Sequence, residues 1–280
     1  MDSPRIAAFF DLDKTIIARS STLAFSRPFY RGGLLSRSAL LKSAYAQFVY
    51  LFGGADHDRM EQLRVSLSSL VKDWDVAQVR QIVAEALHEL IDPLVYDEAV
   101  ALIEEHHAAG HHVVIVSTSG VEVVDPIGRM LGADEIVATR MAVADGRYTG
   151  EIDFYAYGQG KADAVTRLAA QHGYVLADCF GYSDSVTDLP MLEAVGHPYA
   201  VNPDRALRRE AASRGWPVLD FSRPVRIRSR VPGMRSRPVL TTVALVGAAG
   251  AAGMLWLRLR HPGHPVVLLL AHRWRRACQG

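Results

Sequence analysis

The chain has 280 residues, 49% hydrophobic and 22% charged, a balance that excludes a disordered or fibrous protein and suits one α/β domain with or without a smaller companion. Its formal net charge of +1 conceals a split. Residues 223–280 carry eleven Arg and no Lys, Asp or Glu, so the other 20 basic residues share residues 1–222 with all 30 acids.

The apolar run Ile6 to Phe10 stops at a cluster of acids and reads as a buried parallel strand. Residues 21–109 are mostly helical in pattern. Apolar residues recur at three and four from Leu34 to Leu51, Gly53-Gly54 breaks the pattern, and further helices are expected over Asp58–Val71, Val76–Ile91 and Tyr96–His107. His112 to Val116 is the next buried strand, ending at Ser117. A helix is expected from Asp125 to Leu131, closed by Gly132, and a strand over Ile136–Thr139. Asp145-Gly146 is a two-residue hairpin turn between Met141–Val143 and Tyr148–Glu151. Lys161–Gly173 reads as a helix, Asp178–Tyr182 as a strand ending at Ser183-Asp184, Asp188–Val195 as a short helix and Tyr199–Val201 as a strand.

Alternating strands and helices predict an α/β protein with a doubly wound, mostly parallel, Rossmann-like sheet. The helices of residues 21–90 interrupt the alternation after the first strand, as an inserted helical cap would. The core is then 1–20 and 91–222, and the tail 223–280. Within that tail Val239–Leu257 carries no charge over 19 residues. At about 1.5 Å per residue it matches a bilayer core of about 30 Å, so a transmembrane helix and membrane association are expected. Such a stretch favours lipid over nucleic acid as the partner of the arginines. The N-terminus has no signal-peptide pattern, so the body is expected on the cytoplasmic side, anchored to the inner face of the membrane. Cys179 and Cys278 form neither a disulfide framework nor a zinc pattern. His106, His107, His111 and His112 around Gly110 are expected in a solvated loop. Nothing in the sequence specifies an oligomeric state.

Asp11-Leu12-Asp13-Lys14-Thr15 carries the chemistry. Carboxylates at i and i+2 beyond a buried strand lie where open α/β sheets bind ligands, and two such charges repel unless a cation neutralises them. Asp184 and Asp188, four apart, follow another strand. Alone they would equally suit a turn acid and a helix cap.

Together these stretches resemble the haloacid dehalogenase superfamily, subfamily IB, and within it phosphoserine phosphatase-like hydrolases. Four motifs occur in order: Asp11-Leu12-Asp13-Lys14-Thr15, the strand Val113–Val116 closed by Ser117, Gly160-Lys161-Ala162, and Gly181-Tyr182-Ser183-Asp184-Ser185-Val186-Thr187-Asp188. The hairpin Asp145–Gly150 also resembles one in that branch. The resemblance implies a phosphatase of small phosphorylated metabolites, dependent on Mg2+ and acting through an aspartyl-phosphate. Asp11 is the implied nucleophile and Asp13 the acid and base. Ser117 and Lys161 are implied phosphate contacts. Mg2+ is implied on Asp11, Asp184 and the main-chain carbonyl of Asp13, with Asp188 and Thr15 in support. Glu61–Leu67 resembles a cap segment carrying a substrate-facing Arg, here Arg64. Ser20 stands where the branch has an acid that receives the substrate ammonium, which argues against phosphoserine itself and leaves open another small or lipid phosphomonoester. A non-catalytic, membrane-tethered binding protein is the contrasting reading, and the complete acid set speaks against it.

Overall fold

A computed structural model describes residues 5–36 and 70–222. Residues 1–229 and 230–280 form two separate units. The expected tail helix at 239–257, the cap segment with Arg64, and the helical patterns of 37–69 lie outside the described residues. Among the described residues no helix is long and apolar enough to cross a membrane.

Seven strands form one sheet in the order β4-β3-β2-β1-β5-β6-β7. They are β1 (Ala7–Phe10), β2 (His112–Gly120), β3 (Glu135–Ala144), β4 (Arg147–Phe154), β5 (Phe180–Ser183), β6 (His197–Val201) and β7 (Val218–Leu219). All neighbours pair in parallel except β3 and β4, joined by the hairpin whose turn residues Asp145 and Gly146 both have positive φ. β1 lies at the centre because all four of its residues are apolar and fully buried, which only an inner parallel strand allows. The chain leaves β1 toward β2, β3 and β4, then returns to its other side for β5, β6 and β7. This reversal leaves a crevice at the carboxyl end of β1, between β2 and β5.

The pleat divides the core in two. Ala8, Phe10, Val113 and Ile115 face one layer of helices, α4 (Asp97–Ala108) and α5 (Val121–Leu131). Ala7, Phe9, Val114 and Val116 face α6 (Gln159–His172), α7 (Leu189–Glu193) and α8 (Arg205–Arg214) on the other side. The short helices α1 (Ser21–Ala24) and α2 (Ser26–Arg31) follow the first strand. α3 (Val76–Ile91) starts where Asp75 accepts a hydrogen bond from the main-chain N–H of Gln78. Its buried residues Val76, Val79, Val83, Leu87 and Ile91 join the cluster that contains Phe10 and Ile115.

Several elements depart from the sequence pattern. β2 does not end at Ser117 but runs to Gly120. Its pairing with β3 passes from Ser117–Ala138 to Gly120–Thr139, so Thr118 and Ser119 form a bulge. Thr118 secures it by donating to the carbonyl of Ala156, while its own carbonyl accepts from Thr139. α5 begins at Val121, four residues before the expected start, and encloses Pro126. Burial of Val123, Val124 and Ile127 against the sheet outweighs the extended preference of a valine-rich segment. α8 and β7 were not foreseen.

Candidate active site

The loop after β1 brings Asp11 into the crevice. Its main-chain N–H still bonds to the carbonyl of Tyr182 on β5, at 2.9 Å, so Asp11 continues the strand by one residue. The chain then turns sharply. Ile16 and Ile17 both donate to the carbonyl of Leu12, and Lys14 adopts a left-handed conformation with φ of 65°. Thr15 supports the turn and donates to Oδ2 of Asp11 at 3.3 Å.

Lys161 arrives from the opposite layer, in the first turn of α6. Gly158 precedes that helix with φ of 52° and ψ of −117°, a conformation suited to glycine. A side chain at Gly160 would collide with the carbonyl oxygen of Tyr155. The two glycines thus let the helix start against the strand-end backbone and send Lys161 inward. Its side chain is 1% exposed. Nζ lies 2.6 Å from Oδ1 of Asp11 and 2.7 Å from Oδ2 of Asp188. Burial alone would lower the affinity of this amine for its proton, but the two carboxylates more than reverse that and hold it as ammonium. Asp188 also accepts from the hydroxyl of Ser183 on the same Oδ2, at 2.7 Å.

The remaining acids lie in the same pocket with less compensation. Burial pushes Asp11 up to about 7, opposed by Lys161 and reinforced by Asp188. Asp184 is pushed up to about 8 by burial and by the charge of Asp11. The nearest cation to Asp184 is Lys14, 4.0 Å away and 43% exposed. Burial also raises Asp13, against the hydrogen bonds it receives from Ser21 and Ser119. Four carboxyl groups therefore gather around one buried ammonium, an excess of negative charge that a divalent cation would offset. Among the described residues no three His, Cys, Asp or Glu side chains form a ready-made metal cage. Asp11 and Asp184, close enough for the charge of the first to raise the second, fit Mg2+, which commonly takes one or two carboxylates and completes its shell with water and phosphate oxygens. Asp11 and Asp184 could serve in this way; Asp11 already meets Lys161 and Thr15, and Asp188 meets Lys161 and Ser183.

The structure thus brings Asp11, Thr15, Lys161, Asp184 and Asp188 into one crevice. Asp13 and Ser117 line its β2 side, linked through Ser119. Asp13 accepts from the N–H of Ser21 at 2.8 Å and from the hydroxyl of Ser119 at 3.1 Å. Ser117 is buried, and its hydroxyl accepts from the N–H of Ser119 at 3.2 Å. Ser20 precedes α1 and makes no capping bond with its side chain. The group that touches Asp13 is its neighbour Ser21. Ser21 and Ser119 escaped the sequence reading, and Ser183 entered it only as a member of the fourth motif with no role of its own, since a single serine carries no pattern. The alternation of Ser117 and Ser119 on one strand was the available signal for the second of them.

The histidines also differ from expectation. His106 is buried, bonded through Nδ1 to His111 and through Nε2 to the hydroxyl of Tyr182, both at 2.9 Å. His112 bonds to Tyr174. The solvated-loop reading is corrected on this point: Phe10, Phe180 and Tyr182 enclose the ring of His106.

A parallel α/β sheet that collects carboxylates and one buried ammonium at its switch point is the scaffold of an enzyme acting on an anionic substrate. The chain belongs to the haloacid dehalogenase-like hydrolases, whose family profile matches residues 8–193. It is 65% identical over 257 residues to the "inhibition of morphological differentiation protein" of Streptomyces azureus, covering 90% of this chain and 93% of that one. It is 60% identical over 249 residues to a "probable phosphatase" of Mycobacterium tuberculosis, covering 89% and 87%. Its fold is similar to that of a phosphoserine phosphatase solved as a phospho-aspartyl intermediate analogue, with a TM-score of 0.59 and 21% identity over 80% of this chain and 97% of that one.

Proposed function

We propose that this enzyme is a Mg2+-dependent phosphomonoesterase that transfers the phosphoryl group of a small or lipid phosphomonoester to Asp11 and then to water. The observation that supports this most is Lys161, a buried ammonium within 2.7 Å of both Asp11 and Asp188. A carboxylate that must approach an anionic phosphate needs such a fixed positive charge beside it.

In this reading Asp11 attacks phosphorus, held at Oδ1 by Lys161 and at Oδ2 by Thr15. The ester oxygen leaves as the P–O bond to Asp11 forms, taking its proton from Asp13, whose carboxyl burial already favours the protonated form. Asp13 then takes a proton from water, which attacks phosphorus, releases phosphate and restores the Asp11 carboxylate. Ser117 and Lys161 hold phosphoryl oxygens throughout. Asp11, Asp184 and the carbonyl of Asp13 would hold Mg2+, which when bound neutralises phosphoryl charge. Arg64 and Ser20 remain candidates for the leaving group, and 239–257 for a membrane anchor, on sequence pattern alone.

Phosphate release from a panel of phosphomonoesters, including phosphoserine and lipid phosphates, tests the reading. Wild type with Mg2+ should turn over at least one, EDTA should stop it, and Asp11→Asn should be inactive. Equal rates in wild type and Asp11→Asn would overturn it. Washing membranes at high salt tests the anchor: an inserted helix stays, an electrostatically held tail comes off.

A further inference from the structure

We infer that Ser119 is a positioning residue for the acid and base step, aiming the Asp13 carboxyl group by joining it to Ser117 on the core side and to α1 on the side of the inserted segment. The inference rests on the phosphatase reading above and names a residue that reading does not use.

Ser119 sits in the β2 bulge and is 8% exposed. Its Oγ has three oxygen partners: Oδ2 of Asp13 at 3.1 Å, Oγ of Ser21 at 2.9 Å and Oγ1 of Thr22 at 3.0 Å. A hydroxyl has one proton to give and two lone pairs to fill. Ser119 gives its proton to Asp13 and accepts from Ser21, so the bond with Thr22 must also be one that Ser119 accepts. Its hydrogen-bonding capacity is then used up. Ser119 has nothing left for a substrate oxygen, which makes it a residue that acts through Asp13 instead of on phosphate.

The geometry shows what it holds. Oδ2 of Asp13 is fixed by Ser119, and Oδ1 by the N–H of Ser21, the first residue of α1. The main-chain N–H of Ser119 donates to the hydroxyl of Ser117. One serine therefore ties the proton donor to the phosphate-facing strand, while Ser21 and Thr22 tie the same carboxylate to the start of the inserted segment. Thr118 and Ser119 lie outside the pairing with β3, and Ser119, two residues beyond Ser117 on the same strand, places a second hydroxyl on Asp13. Loss of that hydroxyl leaves Asp13 held by Ser21 alone, from the α1 side, and catalysis by a general acid falls steeply when its aim is lost.

The test compares substrates that differ in their need for a proton. An alkyl phosphate such as glycerol phosphate leaves as a poor leaving group and requires the acid, whereas 4-nitrophenyl phosphate leaves unaided. In Ser119→Ala, single-turnover release of the alcohol from the alkyl ester under excess enzyme should slow about tenfold or more. Release of nitrophenolate from 4-nitrophenyl phosphate under the same conditions should stay within about threefold, while the water step that both esters share slows alike for both. KM should be little changed for both, and Ser119→Thr should restore the alkyl rate. The thermal midpoint and its rise with Mg2+ are measured alongside to show that the variant is folded. Equal slowing of the single-turnover release step on both esters, or no slowing on either, would overturn the inference while leaving the phosphatase reading intact. If wild type turned over neither ester nor any other phosphomonoester, both would fall.

Discussion

The hydroxyl of Ser183 donates to Oδ2 of Asp188 at 2.7 Å, the same oxygen that receives the ammonium of Lys161. Asp188 is thereby a buried acceptor shared by two elements, β5 and α6, and its charge is anchored before any ligand arrives. A hydrogen bond to a charged acceptor contributes about 1.5–3 kcal/mol when buried. Ser183→Ala should lose that much in urea unfolding and lower kcat, because the partner of Lys161 is less firmly held. A loss under about 0.5 kcal/mol would show that Lys161 alone satisfies Asp188.

Two glycines, one in the first turn of α6 and one just past its last residue, separate geometry from stability. At Gly160 a methyl group meets the carbonyl oxygen of Tyr155, which belongs to the backbone and cannot rotate away. Gly160→Ala should displace the first turn and with it Lys161, costing about 1–3 kcal/mol and about a hundredfold in kcat. Gly173, at the other end of the helix, has open space around it but φ of 72°. Gly173→Ala should cost about 1 kcal/mol with kcat unchanged. Circular dichroism melts and phosphate-release rates on the two variants decide it. Equal kcat values would break the link between helix start and lysine position.

Asp184 predicts how the protein responds to the Mg2+ proposed for it. Its pKa is pushed up to about 8 by burial and by Asp11, so its carboxyl favours folding when protonated. That contribution is complete below the ordinary value of 3.8 and is lost as pH rises through about 8. A cation reverses the sign by favouring the carboxylate. At pH 8, Mg2+ at about a hundred times its Kd should add about 2.7 kcal/mol. Scanning calorimetry should show this rise in wild type and not in Asp184→Asn, whose metal-free form should be at least as stable as wild type. A Mg2+ response preserved in Asp184→Asn would remove this residue from the metal set.

His106 makes a separate prediction in acid. Burial lowers its pKa from 6.5 to about 4, aided by the neighbouring His111 and His107. The unfolded chain takes up a proton here as pH drops through 6.5, while the folded chain resists until about 4. Stability therefore falls across that window, by at most about 1.4 kcal/mol per pH unit from this group. His106→Phe keeps a ring against Phe10 and Tyr182 and removes the titration. Denaturant unfolding at pH 7 and pH 5 should show a smaller loss in the variant than in wild type. Parallel losses would mean that other groups carry the acid sensitivity.

The amino-acid pattern alone determined the elements that bury a regular stripe or run. Ala7–Phe10, Val76–Ile91 and the Asp145-Gly146 hairpin could be read directly, because continuous, 3.6-residue and turn-specific patterns each report a local geometry. That Asp11, Lys161, Asp184 and Asp188 belong together was legible only through the resemblance of four ordered motifs, because Asp184 and Asp188 alone would equally suit a turn acid and a helix cap. Only the tertiary structure decided which neutral side chains complete the site. Ser119 meets Asp13 across 106 residues of chain, from the β2 bulge, and Lys161 meets Asp11 across 150, from the first turn of α6. Hydroxyl partners of that kind leave no periodic trace, because their place is set by how distant strands align and not by what stands beside them in sequence. The same holds for His106, polar by composition but enclosed by aromatic rings that arrive from β1 and β5.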